Sequence, residues 1–125
     1  MIEVLKETYG DFHDALITEI RYKTNFNYHN NQDSGVNQVE LFISCFNLIN
    51  NFKRELIKIT FFDVSVFKFG AYEGMVSSAL LKNENDLIIF DFFPSIYHDH
   101  LEEDLNSDCI IKCKKVYYSV IENRL

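Results

Sequence analysis

The sequence predicts a mainly β domain: an antiparallel sheet, curled or folded into a two-layer sandwich, of six to eight strands with one or two short helices, an α+β arrangement being the other option. Three observations carry this. Twelve phenylalanines and seven tyrosines run through short stretches in which apolar and polar residues alternate, which is the period of half-buried strands. Turn residues, not helical segments, join these stretches, and that favours antiparallel pairing over βαβ units. Several stretches are apolar on both faces, so a single flat sheet would leave apolar surface in water.

The elements follow in order. Ile2, Leu5 and Tyr9 recur at helical spacing, so residues 2–9 are expected to form one or two helical turns, ended by Gly10-Asp11. From Ala15 to Lys23 the period becomes two, with Leu16, Thr18, Ile20 and Tyr22 on one face against Glu19, Arg21 and Lys23 on the other. Residues 24–36 are polar and asparagine-rich, a long connection or a frayed hairpin. Val39, Leu41, Ile43 and Cys45 define the next strand, opposite Glu40, Phe42, Ser44 and Phe46, and Asn50-Asn51 marks a turn. Leu56 to Phe62 is a strand with Ile57, Ile59 and Phe61 on one side; Val64 and Val66 continue it past Asp63, with Phe67 and Phe69 opposite, as far as Gly70. Residues 75–82 read as strand in preference to helix, because Asn83-Glu84-Asn85-Asp86 followed by Leu87-Ile88-Ile89-Phe90 has the look of a four-residue hairpin link. Residues 109–121 make one long final strand. No repeat or linker divides the chain, so residues 1–125 are expected to be a single domain.

Composition removes several function classes. The longest apolar run, Leu87 to Phe93, is interrupted by Asp91 and followed by Pro94, far short of the roughly 20 residues a spanning helix needs. Glu3, Lys6 and Glu7 spoil the basic-then-apolar order of a secretory signal. Cys109 and Cys113 are separated in an extended run by about 13 Å, beyond the roughly 7 Å a disulfide tolerates, and pairing Cys45 with either leaves one thiol over. Free thiols and a cytoplasmic location are the expectation. A net charge of −7 argues against nucleic acid as a partner. The one basic cluster, Lys112, Lys114 and Lys115, reads as a solvated strand end, Lys112 and Lys114 sharing a face that Val116 and Tyr118 continue. An acidic surface suits a protein partner that is basic.

The glycines at 10, 35, 70 and 74 never approach a phosphate-binding spacing, and there is no Gly-x-Ser-x-Gly, Cys-x-x-Cys or His-Glu-x-x-His. A non-enzymatic role with no cofactor is the expectation. Potential ligands are densest at Tyr97-His98-Asp99-His100, followed by Glu102, Glu103, Asp104 and Asp108. In an extended backbone His98 and His100 project from one face, a donor set suited to zinc or iron; the plainer reading is a solvated acidic loop that meets a basic partner, with no metal. His13 and Asp14 form a second site, where a carboxylate could orient an imidazole. Strand neighbours point to opposite faces, so this requires the chain to turn there; otherwise the pair caps a strand entrance, the His ring under Phe12. A small-ligand or metal-binding β domain using His13 or His98 and His100 is the alternative function. Each cysteine sits among apolar strand residues and reads as inert packing. The adjacent pairs Phe61-Phe62, Phe92-Phe93 and Tyr117-Tyr118 place one ring on each strand face; rings on an uncovered face would form a binding patch, or would bring two copies together as a homodimer.

The stretch Phe12-His13-Asp14-Ala15-Leu16-Ile17-Thr18-Glu19-Ile20 resembles the Phe-His-Asp-small-x-Ile/Val strand opening of certain small bacterial proteins, and Leu56-Ile57-Lys58-Ile59-Thr60-Phe61-Phe62-Asp63-Val64 is similar to their Leu-x-Phe-x-x-Val strand. Both occur in a family of immunity proteins of bacterial polymorphic and contact-dependent toxin systems. The tryptophan that often precedes the Phe-His-Asp of that family is absent here. The resemblance implies a protein that occupies and neutralises a co-produced toxin; only His13 and Asp14 hold matching positions.

Overall fold

The structure, a computed structural model, describes residues 1–24, 36–70 and 75–123. Helix α1 (Ile2–Tyr9) precedes strands β1 (Leu16–Thr24), β2 (Val36–Asn47), β3 (Lys53–Phe62), β4 (Val66–Phe69), β5 (Leu80–Glu84), β6 (Leu87–Asp91), β7 (Ser95–Tyr97), β8 (His100–Glu102), β9 (Cys109–Cys113) and β10 (Lys115–Asn123). The fold is mainly β, with antiparallel sheets, none closed. One four-stranded sheet runs β1-β2-β3-β10, the other β4-β9-β6-β5, and β7-β8 is a separate hairpin.

Alternation supplies the inner faces. Register sets Val39 against Phe61, Leu41 against Ile59 and Ile43 against Ile57, and all six are fully buried. Such cross-strand apolar rungs are the unit of sheet stability. The second sheet answers with Phe90, Cys109, Ile111 and Cys113. The layers meet where the Phe61 and Phe90 rings cross edge to face, 4.9 Å between centroids at 84°. Helix α1 turns Ile2, Leu5 and Tyr9 inward, as their spacing predicts. The Tyr9 ring stacks on Phe12 at 5.7 Å and meets the edge of Tyr118 at 5.7 Å. The Tyr9 hydroxyl donates to Glu55 Oε1 at 2.8 Å, and Asn47 Nδ2 donates to Glu55 Oε2 at 3.2 Å. This satisfies a buried carboxylate that would otherwise be costly, and burial pushes the Tyr9 phenol well up.

Two expected long strands are each divided between the sheets. The first breaks at Asp63, where φ is 53°, separating β3 from β4. The second breaks at Lys114, separating β9 from β10. The crossings lie side by side: Ser65 N–H donates to the Lys112 carbonyl at 2.8 Å and Lys114 N–H to the Phe62 carbonyl at 3.2 Å. A strand that bends from one layer into the other makes such a corner, and alternation is blind to it because both halves keep their period. Lys112 and Lys114 therefore share no face: Lys112 belongs to the second sheet, while Val116 and Tyr118 lie in the first. These splits, with β7-β8, raise the count to ten strands among the described residues.

Three local expectations also change. In β1 the pairing slips between Ile17 and Glu19, so the buried residue is Ile17 and Leu16 faces solvent; a bulge at Thr18 resets which face is inner. The hairpin after β5 closes on two residues, not four: Asn85 and Asp86, with φ of 53° and 64°, the backbone a type I′ turn requires. The segment 75–82 is extended from Leu80, with Val76 bridging to Ala15. Thr24 pairs with Val36, and the polar connection between them falls on residues 25–35, outside the described residues.

Candidate binding groove

Two sequence-distant segments line the two walls of one groove. The first wall is the turn after α1. Gly10, Phe12 and Asp14 have φ of 63°, 55° and 60°, so the chain coils tightly instead of entering a strand. This buries Phe12 against Phe92 and leaves Asp11, His13 and Asp14 exposed, of which Asp11 lines the groove and His13 and Asp14 do not. The coil brings His13 Nε2 to 3.4 Å from Asp14 Oδ2, a pairing that an extended backbone forbids. His13 Nδ1 lies 2.7 Å from the Ser77 carbonyl. It does not pack under Phe12; it is exposed. Its pKa is raised, first by the Ser77 carbonyl and then by the Asp14 and Asp11 charges.

The second wall is the β7-β8 hairpin. Its turn is His98-Asp99, with His98 at φ 54°. His98 and His100 therefore do not project from one strand face: His98 is at the turn, and His100 pairs across the hairpin with Tyr97. The Tyr97 ring is 4.3 Å from the His98 ring and 6.0 Å from that of His100. His100 Nε2 is 3.1 Å from Glu102 Oε1. Between the walls, a hollow of about 300 Å³ runs over Ala79, Leu80 and Leu81 beside Lys6. It shares Asp11 and Leu101 with a second hollow of about 450 Å³ that reaches Ser78, Ile96, His98, Asp99 and His100.

The rest of the acidic run does a different job. Asp91, fully buried, accepts the Phe93 N–H at 3.0 Å and the Asp104 N–H at 2.9 Å. Asp104 accepts the Asn106 N–H at 2.8 Å and the Ser95 hydroxyl at 2.8 Å; the Asn106 bond first and then the Ser95 bond hold its carboxyl below the usual carboxylate range. Glu103 pairs with Lys112 at 2.5 Å, and Lys68 Nζ donates to the Leu105 carbonyl. These bonds tie residues 103–105 onto the outer face of the second sheet, where Ile89 and Ile110 are buried. Glu103 and Asp104 are thus anchors of the hairpin, not a free acidic surface. Asp108 is beside Gly70, whose N–H donates to its carbonyl at 2.7 Å, and is not among the groove residues. His98, Asp99 and His100 line the groove, and Glu102 reaches it through its bond to His100.

Sequence reasoning missed Asp11, Ser78 and Leu101. The Gly10-Asp11 break was a visible signal for a turn, but nothing in the sequence pairs that turn with residue 98. Among the described residues no three His, Cys, Asp or Glu side chains are grouped closely enough to hold a metal ion, and no helix is long and apolar enough to cross a membrane. Cys45, Cys109 and Cys113 are free and buried, and burial pushes each thiol up to about 12. Thiolate reactivity is correspondingly suppressed. Ellman's reagent is expected to leave all three unmodified at neutral pH in the folded protein and to titrate all three in denaturant; rapid labelling of native protein would contradict this.

Two of the aromatic pairs divide as alternation requires, Phe61 and Tyr118 inward, Phe62 and Tyr117 outward; Phe92 and Phe93 do not, because they lie past the end of β6, Phe92 fully buried and Phe93 half-buried against the same core. On the outer face of the first sheet Arg21 lies 5.2 Å over the Phe42 ring and Arg54 4.2 Å over that of Phe46, so two outward rings are capped by guanidinium groups. No protein-family model matches the chain, and neither curated proteins nor solved structures gave a match.

Proposed function

We propose that this chain is a non-enzymatic cytoplasmic binding protein of the toxin-neutralising, immunity type, which occludes a basic protein partner at the groove between α1 and the β7-β8 hairpin. The observation that carries this reading is the convergence of Asp11 and Asp99, from segments far apart in sequence, on a single groove with an apolar floor. A lysine or arginine stem fits against Leu80 and Leu101 while its head meets the two carboxylates. Exposed Ile96 and Tyr97 stand at the rim as anchors. The net charge of −7 adds long-range attraction for a basic surface, which accelerates encounter. The resemblance of residues 12–20 and 56–64 to immunity proteins points to the same class.

The test is direct. The protein product of the adjacent reading frame is expected to be toxic alone, to be neutralised by co-expression with this chain, and to bind it more weakly as salt rises. Reversing charge with Asp11→Lys and Asp99→Lys together is expected to weaken binding by at least about tenfold. Binding indifferent to that double change, or the lack of any toxic neighbour, would remove this reading. A second reading, a small-ligand site at His98 and His100, is favoured by the size of the larger hollow, which falls in the range of ligand pockets. Native mass spectrometry separates the two: a retained small-molecule mass that His98→Ala abolishes supports the second.

A further inference from the structure

Four strands border the two large sheets: β1 and β10 in the first, β4 and β5 in the second. Unpaired edges invite association, and proteins blunt them with shortness, charge or bulges. Strands β4 and β5 have only four and five residues. Strand β1 is bulged near its start and alternates Glu19, Arg21 and Lys23 along its length. Strand β10 also slips once, after Val120, but it carries no charge from Val116 to Ile121. It is nine residues long without proline, and its Tyr117, Val120 and Ile121 are 59%, 43% and 50% exposed.

We propose that β10 is a homodimer edge: two copies pair β10 antiparallel about a two-fold axis at Tyr118, joining their four-stranded sheets into one continuous sheet. The faces restrict the axis to a residue and exclude a gap between two, and the charges at the strand ends then select Tyr118. Lys115, Tyr117 and Ser119 are opposite Phe62, Thr60 and Lys58 on the outer face, whereas Val116, Tyr118 and Val120 are opposite Phe61, Ile59 and Ile57 on the inner one. The slip after Val120 sets Glu122 opposite Leu56, back on the outer face. A two-fold pairing must set outer residues against outer residues and inner against inner. Centred on Tyr118, Tyr117 meets Ser119 of the partner subunit, Val116 meets Val120 of the partner subunit, and Lys115 meets Glu122 of the partner subunit across the slip. This arrangement uses the strand from Lys115 to Glu122 and closes each end with an opposite-charge pair. Cross-strand pairs of opposite charge stabilise a ladder, and like charges in the same place oppose it.

Sedimentation equilibrium is expected to show a dimer at micromolar concentration. Glu122→Lys, which sets lysine against lysine at both ends, is expected to weaken dimerisation about tenfold, and adding Lys115→Glu is expected to restore it. Val120→Lys is expected to yield monomer with an unchanged circular dichroism spectrum and a lower urea midpoint that no longer depends on protein concentration. A chain that stays monomeric into the millimolar range overturns the proposal. So does a dimer that ignores both Val120→Lys and Glu122→Lys, and a double swap that fails to restore association refutes the register. None of these residues lines the groove, so the outcome is independent of the partner reading.

Discussion

Replacing Phe61 by alanine is expected to lower the free energy of unfolding by about 3–5 kcal/mol, a large share of the roughly 5–15 kcal/mol that holds a domain folded. Phe61 is fully buried, is opposite Val39 in β2 and Val116 in β10, and meets Phe90 of the other layer edge to face at 4.9 Å. Its truncation opens a cavity where the two sheets touch, a region bounded by two strand crossings that cannot collapse freely. Phe62, the next residue, faces outward and is 37% exposed; Phe62→Ala is expected to cost less than about 1.5 kcal/mol. Urea denaturation of both variants measures the contrast. Equal losses would mean that the layers are not joined through Phe61. The Phe61→Ala, Phe90→Ala cycle is expected to give a coupling of about 0.5–1.5 kcal/mol.

Asp91→Ala is expected to cost about 3 kcal/mol, because two half-buried N–H groups lose a carboxylate acceptor at once. The larger consequence is local. Asp91 holds Asp104, and Asp104 holds Ser95 and Asn106, so its loss frees the segment carrying the His98-Asp99 turn. Hydrogen exchange is expected to accelerate across residues 95–106 while β3 remains protected, and the groove loses one wall. Uniform exchange in the variant would show instead that the hairpin is held by other contacts. Acid should act in the same direction. The Asp104 carboxyl is depressed in the folded state, so its contribution is complete above the unfolded carboxyl value of about 3.9. That contribution is lost as pH falls through the lower folded value.

Local pattern was legible to the extent that it fixes which residues are apolar neighbours along the chain. The α1 spacing, the inner faces of β2 and β3, the break at Gly10-Asp11 and the inert cysteines all follow from period and composition. Thr18 shows where this ends: a single bulged residue moves burial from Leu16 to Ile17, and no propensity marks it. The runs through Asp63 and Lys114 show the same limit on a larger scale, since a strand that changes sheets keeps its alternation.

The candidate groove illustrates the division most clearly. Residue types announced the acids and imidazoles of His13-Asp14 and of 98–102, because side-chain chemistry belongs to the residue itself, but only the second set lines the groove, where it meets Asp11. Which acids face outward and which are consumed was settled by the fold: Asp104 and Glu103 are anchors because Asp91 and Lys112 lie beneath them on the second sheet, a proximity set by pairing between β6 and β9. Sequence alone determined a strand-rich, aromatic, acidic chain with α1 at its start. Tertiary structure decided the layer to which each strand belongs and the carboxylates left for a partner, because alternation specifies the face of a strand but long-range pairing specifies its neighbours.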